Sequence, residues 1–220
     1  MKYGILFSIV AILLTFAGIK HGGWYLVCLW PAVSFAIVAT GYLYFGPIVY
    51  GKSKSGTLSL LNLLVLLPYL LYSCSVWYAA RLFKRESAYD QLNDNIYIGR
   101  RLMGHELPPN IDHVIDLTCE FTEAKQLRSV DYHSFQILDG FVPPTDHLRR
   151  WVAHGATLSG TIYIHCAEGH GRTGLFAAVL LVTLGHFDNV NDALEFIKSK
   201  RPLVRLGSRQ LATLAATQAA

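Results

Sequence analysis

The first third of the chain consists of three long apolar runs that contain no charged residue. We predict membrane-spanning helices at about residues 3–19, 24–46 and 58–80, because about 20 helical residues cross a hydrocarbon core roughly 30 Å thick. Three prolines lie in or beside these runs: Pro31, Pro47 and Pro68. Membrane helices tolerate proline where neighbouring groups satisfy the freed backbone carbonyl. Residues 1–80 are therefore predicted to form a three-helix transmembrane region.

The predicted spans favour an anchor over a transporter. They contain no acidic residue, histidine or arginine, whereas ionisable groups inside the membrane are the usual mark of a transport or proton pathway. The first run follows Lys2 and could alternatively be a signal peptide. However, it has no clear A-x-A cleavage pattern, and two further spans follow it. We therefore expect the lipid bilayer to be a partner of this chain.

A polar linker at residues 81–94 separates the apolar runs from a region that has the pattern of a soluble domain, residues 95–220. Short segments rich in β-branched residues predict strands, and apolar residues at helical spacing predict helices. The predicted strands are 95–99, 114–119, 134–138 and 161–166, and the predicted helices are 145–154, 173–184 and 191–200. This alternation predicts an α/β domain with a mostly parallel sheet that is flanked by helices and covered on both faces.

The distribution of charge supports this division of the chain. The net charge is +4, and residues 1–80 hold four lysines and no acid, whereas acidic and basic residues balance in the remainder. The basic residues form no cluster with interleaved aromatic residues, so we expect no nucleic-acid partner. The four cysteines are widely spaced and form no C-x-x-C motif, which is typical of a reducing compartment.

Residues 165–174 carry the candidate chemistry, since they connect a predicted strand to a predicted helix. Two motifs overlap there. A G-x-G-x-x-G pattern at 169–174 is typical of dinucleotide binding, but that fold needs further strands and an acid about 20 residues on, and only 46 residues remain after Gly174. The second motif is Cys166-x5-Arg172-Thr173, which places a thiol at a strand end and a guanidinium at a helix start.

The second motif resembles the H-C-x5-R-[ST] signature of the cysteine-dependent protein tyrosine phosphatase superfamily, matched here by His165, Cys166, Arg172 and Thr173. Other segments resemble the small dual-specificity branch of that superfamily. These are 96–99 for its Y-I/L-G strand, 114–118 for its V-x-N/D-L-T strand and 139–144 for its general-acid loop. The resemblance covers most of residues 95–210 and implies a cysteine-dependent phosphoric monoester hydrolase.

Physical chemistry accounts for the residue types in this motif. A helix N-terminus and a nearby cation favour the thiolate form of a cysteine nucleophile, and Cys166 is predicted to have both. Glycines let backbone N–H groups turn inward around a tetrahedral anion. The predicted phosphate-binding residues are Ala167, Glu168, Gly169, His170, Gly171 and Arg172. Because these amides and the arginine meet the phosphoryl charge, the mechanism requires no metal and no cofactor.

The resemblance also implies roles for three further residues. Thr173 would stabilise the cysteine as leaving group, and His165 would orient the loop. A leaving oxygen needs a positioned acid, and Asp139, in a loop that ends in proline after an apolar strand, matches the position of the family's acid. Asp146 is the alternative, although it is more simply explained as an acidic residue near a helix N-terminus.

Simpler interpretations exist for several of these residues. Cys166 could be a small buried strand residue, but this leaves the glycines and Arg172 at fixed offsets unexplained. A zinc site formed by His165, Cys166 and His170 lacks a fourth ligand at the usual spacing. The other histidines are scattered and fit surface or satisfied core positions, and the charges of Lys198–Arg201 fit a solvated helix face.

Cys119 and Cys166 both end predicted parallel strands, so both are expected at the same sheet edge. If those strands are neighbours, the two thiols could form a disulfide that protects the nucleophile from irreversible oxidation. Cys119 as a small buried strand residue is the simpler interpretation.

The sequence thus predicts a multi-pass membrane phosphatase whose catalytic domain faces the cytosol, where its thiolate stays reduced. The expected substrate is a phosphotyrosine or phosphoserine/threonine protein, and the alternative is a singly phosphorylated lipid headgroup. Ala167, Glu168 and His170 are not the basic loop residues that favour polyphosphorylated inositides in related enzymes. A catalytically inactive phosphate-binding adaptor is a more remote alternative, because nucleophile, arginine and acid are all present.

Overall fold

The computed structural model describes residues 2–218, and the chain divides into two compact units. The first unit comprises the residues up to Lys84 together with Cys119–Thr122, and the second comprises Arg85–Thr118 and the residues from Glu123 onward. Residues 1, 219 and 220, which the domain prediction includes, lie outside the described residues.

The first unit is helical. Its α-helices are α1 (Lys2–His21), α2 (Leu29–Thr40) and α3 (Leu60–Phe83). Shorter 3-10 turns at Gly23–Cys28 and Gly46–Tyr50, and a π-helical turn at Gly41–Phe45, extend α2 at both ends. Three segments are long and apolar enough to cross a membrane: Lys2–His21, Gly23–Tyr50 and Leu60–Phe83.

Pro68 lies inside α3, where it cannot donate a backbone hydrogen bond to Leu64. The indole Nε1 of Trp30, on α2, donates to the Leu64 carbonyl at 3.2 Å. On the C-terminal side of the proline, the Tyr69 backbone N–H donates to the Ser34 hydroxyl oxygen at 3.2 Å. The neighbouring helix thus satisfies the carbonyl that proline frees, as the sequence analysis expected for membrane helices.

Aromatic rings form the interior of the first unit. Phe7, Phe35 and Tyr69, one from each α-helix, contact one another with ring centroids 5.4–5.7 Å apart. Large apolar side chains also cover the outside of the helices, both aliphatic ones such as Ile12 and Leu60 and aromatic ones such as Phe16 and Tyr44. An apolar exterior suits helices surrounded by hydrocarbon.

The segment Cys119–Thr122 belongs to the same unit. The Thr122 hydroxyl oxygen accepts a hydrogen bond from the Leu58 backbone N–H at 3.2 Å. The Phe121 ring lies 6.2 Å from the Trp77 ring of α3. A short piece of chain from between two segments of the second unit is therefore an integral part of the helical unit.

The second unit is an α/β domain with five strands and four α-helices among the described residues. The strands are β1 (Tyr89–Asn93), β2 (Ile96–Arg100), β3 (His113–Thr118), β4 (Asp131–Ile137) and β5 (Ile162–Cys166). The helices are α4 (Thr145–Thr157), α5 (Gly171–Thr183), α6 (Val190–Lys200) and α7 (Ser208–Gln218). A 3-10 turn at Gly104–Glu106 lies between β2 and β3.

The sheet has the order β1-β2-β5-β3-β4. Only β1 is antiparallel to its neighbour, and the other four strands are parallel. This confirms the predicted mostly parallel α/β fold. The sequence analysis assigned residues 89–93 to the linker, but the structure forms β1 there.

The core of this unit lies on both faces of the sheet. On one face, Ile98, Ile115 and Ile164 pack with α5, whose residues from Arg172 to Leu181 are all buried. On the other face, Val114 and Tyr163 pack with buried residues of the connecting segments: Leu102, Ile111 and Leu127. Helices cover the first face and connections cover the second, so the carboxyl ends of the parallel strands are free to form a site.

Candidate active site

The parallel strands bring the predicted catalytic residues to one edge of the sheet. β5 ends at Cys166 and α5 begins at Gly171. We call the connection between them, residues 166–172, the Cys166 loop. Asp139 lies two residues beyond the end of β4, at the same edge as Cys166.

Backbone carbonyls of the Cys166 loop are held from outside the loop. The carbonyls of residues 167–169 accept hydrogen bonds at 3.0–3.2 Å, one from the Arg101 backbone N–H and two from the Arg201 guanidinium. Because N–H and C=O point in opposite directions across a trans peptide, the following N–H groups point inward. The Gly169 N–H donates to the Cys166 Sγ at 3.3 Å. The loop therefore presents the Gly169 amide to the sulfur.

Gly169 is required by its conformation and by its neighbour. Its φ of 76° lies in the left-handed region that favours glycine. A Cβ at this position would overlap the backbone of Gly99 in β2. The loop is thereby packed directly against the sheet.

Arg172 places a cation next to the candidate acid. Its guanidinium is buried and donates to the carbonyls of Ile137 at 2.8 Å and Leu117 at 3.4 Å, which belong to β4 and β3. It also donates to the Asp139 Oδ1 at 3.1 Å. Strand carbonyls thus fix the arginine, and the arginine orients a carboxylate that is itself largely exposed.

The loop that carries Asp139 is held by the start of α7. The Gln210 side-chain amide donates to the Phe141 carbonyl at 3.4 Å, and its Oε1 accepts from the Gly207 N–H at 3.0 Å. The Arg209 guanidinium lies 5.4 Å from the centre of the Phe141 ring, within the range of a cation–π contact. These contacts tie the acid loop to the C-terminal helix.

Thr173 and His165 are both fully buried beside the Cys166 loop. Among residues 2–218, the Thr173 hydroxyl has no hydrogen-bond partner. A buried hydroxyl without a partner, at the start of the helix that follows the Cys166 loop, is available to donate to a developing thiolate.

The His165 ring lies between two buried carboxyl groups. Its Nε2 is 3.5 Å from the Glu123 Oε2 and 4.0 Å from the Asp116 Oδ1. Burial raises the pKa of Glu123, while the His165 ring opposes that increase and Asp116 adds to it. The Tyr132 hydroxyl donates to the Asp116 Oδ2 at 2.6 Å. The Asp116 carboxyl group is thus held by a side chain that packs with Val114 and Tyr163.

Known phosphatases are similar to part of this chain. No known protein-family profile matches the chain. A curated relative from Dictyostelium discoideum, "Probable protein tyrosine phosphatase type IVA B", is 33% identical over 91 residues, 38% of this chain and 55% of that protein. The chain thus spans about half the length of the curated relative it matches.

Solved structures of phosphatases are similar to the chain over 60% of its length. Tk-PTP in its active form matches with a TM-score of 0.53, 21% identity and 97% coverage of that structure. PTPMT1 in complex with PI(5)P gives 0.53, 18% and 96%, and human DUSP28 gives 0.51, 12% and 94%. The chain contains the fold of the cysteine-dependent protein tyrosine phosphatases. Sequence and structure relatives both match that superfamily, which confirms the resemblance.

Within this phosphatase fold, the side chain of the loop histidine faces carboxylates. The His170 Nε2 lies 2.8 Å from the Glu86 Oε2, and its Nδ1 lies 3.3 Å from the Glu168 Oε2. The Cys166 loop of this phosphatase fold thus has two acidic side chains beside it. Phosphate contact by Glu168 and His170, as the sequence predicts it, would use their backbone N–H groups.

Arg201 is a positioning residue that the sequence analysis missed. The sequence predicts a solvated helix face for Lys198–Arg201, but the Arg201 side chain is completely buried. Besides the two loop carbonyls, the guanidinium contacts Asp90 at 2.6 Å and Glu86 at 2.9 Å. The interpretation was wrong because partners more than 100 positions away in sequence decide the burial of this residue.

Cys119 follows a strand and Asp146 lies near a helix N-terminus, as the sequence predicts. Cys119 is buried directly after β3, in the first unit, and its Sγ lies 3.5 Å from the Glu120 Oε2. β3 and β5 are neighbours, with Asp116 opposite His165, which meets the condition that the sequence analysis set for a disulfide. The redox pairing of Cys119 with Cys166 stays a prediction. Asp146 lies in the first turn of α4.

Proposed function

We propose that this chain is a membrane-anchored phosphomonoesterase that hydrolyses phosphoproteins through a phosphocysteine intermediate. The observation that carries the proposal is the Cys166 sulfur, which accepts an amide hydrogen bond inside a loop that also holds Arg172 against Asp139. Nucleophile, cation and acid are the groups that phosphoryl transfer to cysteine requires. The phosphatase relatives support the same reaction class.

In the first step, the loop amides and Arg172 bind the phosphoryl oxygens of the substrate. The Cys166 thiolate attacks phosphorus, so that an S–P bond forms and the P–O bond to the leaving group breaks. Asp139 enters this step protonated and transfers its proton to the leaving oxygen. The products are the dephosphorylated hydroxyl group and phosphocysteine.

In the second step, the Asp139 carboxylate takes a proton from water as the water oxygen attacks phosphorus. The S–P bond breaks, and its electron pair returns to the Cys166 sulfur. The buried Thr173 hydroxyl donates a hydrogen bond to the departing thiolate. Inorganic phosphate leaves, and the thiolate is ready for another cycle.

Acidic groups beside the Cys166 loop limit the choice of substrate. Glu168 and Glu86 both contact His170, the basic residue among these three. The His170 side chain therefore faces carboxylates at both ring nitrogens. The negative charges of these two glutamates would repel a second or third phosphate group beside the Cys166 loop. A phosphotyrosine, phosphoserine or phosphothreonine with a single phosphoryl group fits better than a polyphosphorylated headgroup.

A singly phosphorylated membrane lipid is the second candidate substrate. PTPMT1, one of the structures with the same fold, was solved in complex with PI(5)P. Three helices of the present chain are long and apolar enough to cross a bilayer, which would keep the site close to lipid headgroups. The catalytic residues and the two chemical steps are the same for either substrate.

Turnover by the full chain in mixed micelles tests the proposal. We expect phosphate release from phosphopeptides to exceed release from phospholipid monoesters, and vanadate to inhibit it. Cys166→Ser should abolish turnover while phosphopeptide binding persists, because the amide loop and Arg172 remain. Cys28→Ser, which removes a thiol from the helical unit, is the matched control and should retain activity. Turnover that survives Cys166→Ser would contradict the mechanism, and binding without turnover by the unaltered chain would favour the adaptor alternative.

A further inference from the structure

Three potential metal ligands meet at the sheet edge opposite the Cys166 loop, where the parallel strands begin. His113 begins β3 and Asp131 begins β4, and the two residues are opposite each other in the parallel ladder. His133 lies two positions after Asp131 on the same strand, and therefore on the same face. The His113 Nδ1 is 2.9 Å and the His133 Nε2 is 3.2 Å from the same atom, the Asp131 Oδ2. The three ligand atoms all lie within 4.8 Å of one another.

The hydrogen bonds of His113 leave a lone pair that faces a carboxylate. The His113 Nε2 lies 2.9 Å from the Ser159 carbonyl oxygen, which can only accept, so Nε2 carries a proton. In the neutral ring, Nδ1 then has a lone pair directed at the Asp131 carboxylate. Two lone pairs at 2.9 Å require a positive charge between them, either a proton on Nδ1 or a metal cation.

The Nε2 atom of His133 is the second candidate nitrogen ligand. The Nδ1 of the same ring lies 3.2 Å from the His154 Nε2 on α4. Its Nε2 is buried and has no hydrogen-bond partner among residues 2–218, although the Asp131 oxygen is close. A nitrogen that is near a carboxylate oxygen but not aligned to donate to it is placed as a metal ligand would be.

We propose that His113, Asp131 and His133 bind a divalent transition-metal ion, with zinc as the best fit. In a tetrahedral zinc site with bonds of about 2.0–2.1 Å, neighbouring ligand atoms are about 3.3 Å apart. The distances of His113 Nδ1 and His133 Nε2 from the Asp131 Oδ2, 2.9 and 3.2 Å, are within a few tenths of an ångström of that value. Two imidazoles disfavour Mg²⁺ and Ca²⁺, which prefer oxygen ligands. The half-exposed carboxylate leaves a fourth position open to water.

The outer contacts of the two histidines complete the site. Metal-bound imidazoles usually make a hydrogen bond through their other nitrogen, which fixes the tautomer and the ring orientation. Here the Ser159 carbonyl serves His113 and the His154 ring serves His133. The ion would join the starts of β3 and β4 to the end of α4, and binding to the folded state alone would stabilise this edge of the domain.

Zinc binding is tested with the full chain in detergent, without a polyhistidine tag and with Cys166→Ser to remove the nucleophilic thiol. Isothermal titration calorimetry should show one equivalent of Zn²⁺ bound, and thermal unfolding should show a higher melting temperature with Zn²⁺. Mg²⁺ and Ca²⁺ should neither bind nor raise the melting temperature. His154→Ala should weaken affinity about 10- to 100-fold, the usual effect of losing an outer partner. His113→Ala or Asp131→Asn should weaken it at least as much. His105→Ala, outside the cluster, should leave it unchanged.

Cobalt spectroscopy locates the ion even if a ligand variant folds poorly. Co²⁺ added to the folded Cys166→Ser chain should give the visible bands of a four-coordinate site with nitrogen and oxygen ligands. A thiolate-to-cobalt charge-transfer band would place the ion at a cysteine and overturn the proposal. The absence of saturable zinc binding would also overturn it and would leave a protonated His113 as the partner of Asp131.

Discussion

Asp139 is oriented by the hydrogen bond that it accepts from the buried Arg172 guanidinium. We predict that Asp139→Asn lowers kcat by about 10² to 10⁴, the usual contribution of a general acid. The loss should be smaller for aryl phosphates, whose leaving groups need less protonation. Steady-state rates on matched alkyl and aryl phosphates measure this difference.

Asp146→Asn is the matched control for that experiment. Asp146 lies in the first turn of α4, where a carboxylate interacts favourably with the helix N-terminus. Its replacement should lower stability slightly and leave the rate ratio between alkyl and aryl substrates unchanged. Equal losses on both substrates in Asp139→Asn would contradict its role as the acid.

Glu123 makes the stability of the second unit depend on pH. Burial raises its pKa, with His165 opposing and Asp116 adding to the effect. Because the folded pKa lies above the unfolded one, the contribution of Glu123 to stability is full below the unfolded pKa and is lost as pH rises through the folded pKa. Glu123→Gln removes this loss. We therefore predict that the melting temperature of the variant rises relative to that of the unaltered chain between pH 5 and pH 8.

Glu195→Gln serves as the comparison for this pH series. Glu195 is exposed on α6 and pairs with Lys198 at 2.7 Å, and such surface pairs contribute little. Its melting-temperature difference should stay nearly constant with pH. A Glu123→Gln difference that becomes less favourable at high pH would show that the ionised group stabilises the fold.

Among secondary-structure elements, α3 has a proline in its interior and accepts a compensating hydrogen bond from a side chain of α2. Pro68 has no backbone N–H to donate to the Leu64 carbonyl, and the Trp30 indole donates to that carbonyl instead. We predict that Trp30→Phe destabilises the helical unit by about 1 kcal/mol. With Pro68→Ala, the backbone N–H at position 68 can donate to Leu64, so the same Trp30→Phe change should cost less. Unfolding in detergent measures this double-mutant cycle.

Trp24→Phe controls for the loss of an indole as such, because Trp24 is 89% exposed. It should cost the same with proline or alanine at position 68. An identical cost of Trp30→Phe in both backgrounds would mean that the Trp30 hydrogen bond does not compensate for Pro68.

The elements that the sequence predicts well are those whose own residues determine burial. β5 and α5 are almost entirely buried, and both read as apolar runs. β1 was missed because only Leu92 among its residues is buried. It is an edge strand that is stabilised by backbone pairing with β2, and such pairing leaves little trace in the hydrophobic pattern.

For the whole molecule, the main open prediction is the side of the membrane on which the phosphatase fold lies. Arg81 lies in the last turn of α3, and Lys84 and Arg85 follow that helix. Basic flanks favour the cytosolic side. We predict that a reporter fused after Ala220 is cytosolic and that the N-terminus faces outward. Reporter fusions at both ends measure this orientation, and a C-terminal reporter active only in an exported compartment would contradict it.

The sequence predicts the parts of the candidate site that are local in the chain. The Cys166 loop is one contiguous motif between a strand and a helix, so residue types and spacing are enough to identify it. Arg201 with Glu86, and His113 with Asp131, are brought together only by the sheet order and the chain path. No local spacing marks such pairs, which explains why the sequence predicts a solvated position for Arg201 and a scattered surface or core position for His113.

The Arg201 contacts also decide where the phosphatase fold can be cut from the chain. A soluble fragment that begins at residue 95 would lack Glu86 and Asp90, the two carboxylates that neutralise this buried guanidinium. Removing the partner of a buried charge typically costs about 3–5 kcal/mol. A fragment beginning at Arg85 retains both carboxylates and β1. We expect the longer fragment to fold and turn over aryl phosphate and the shorter one to be insoluble or inactive, because residues 85–94 supply the carboxylate partners of Arg201.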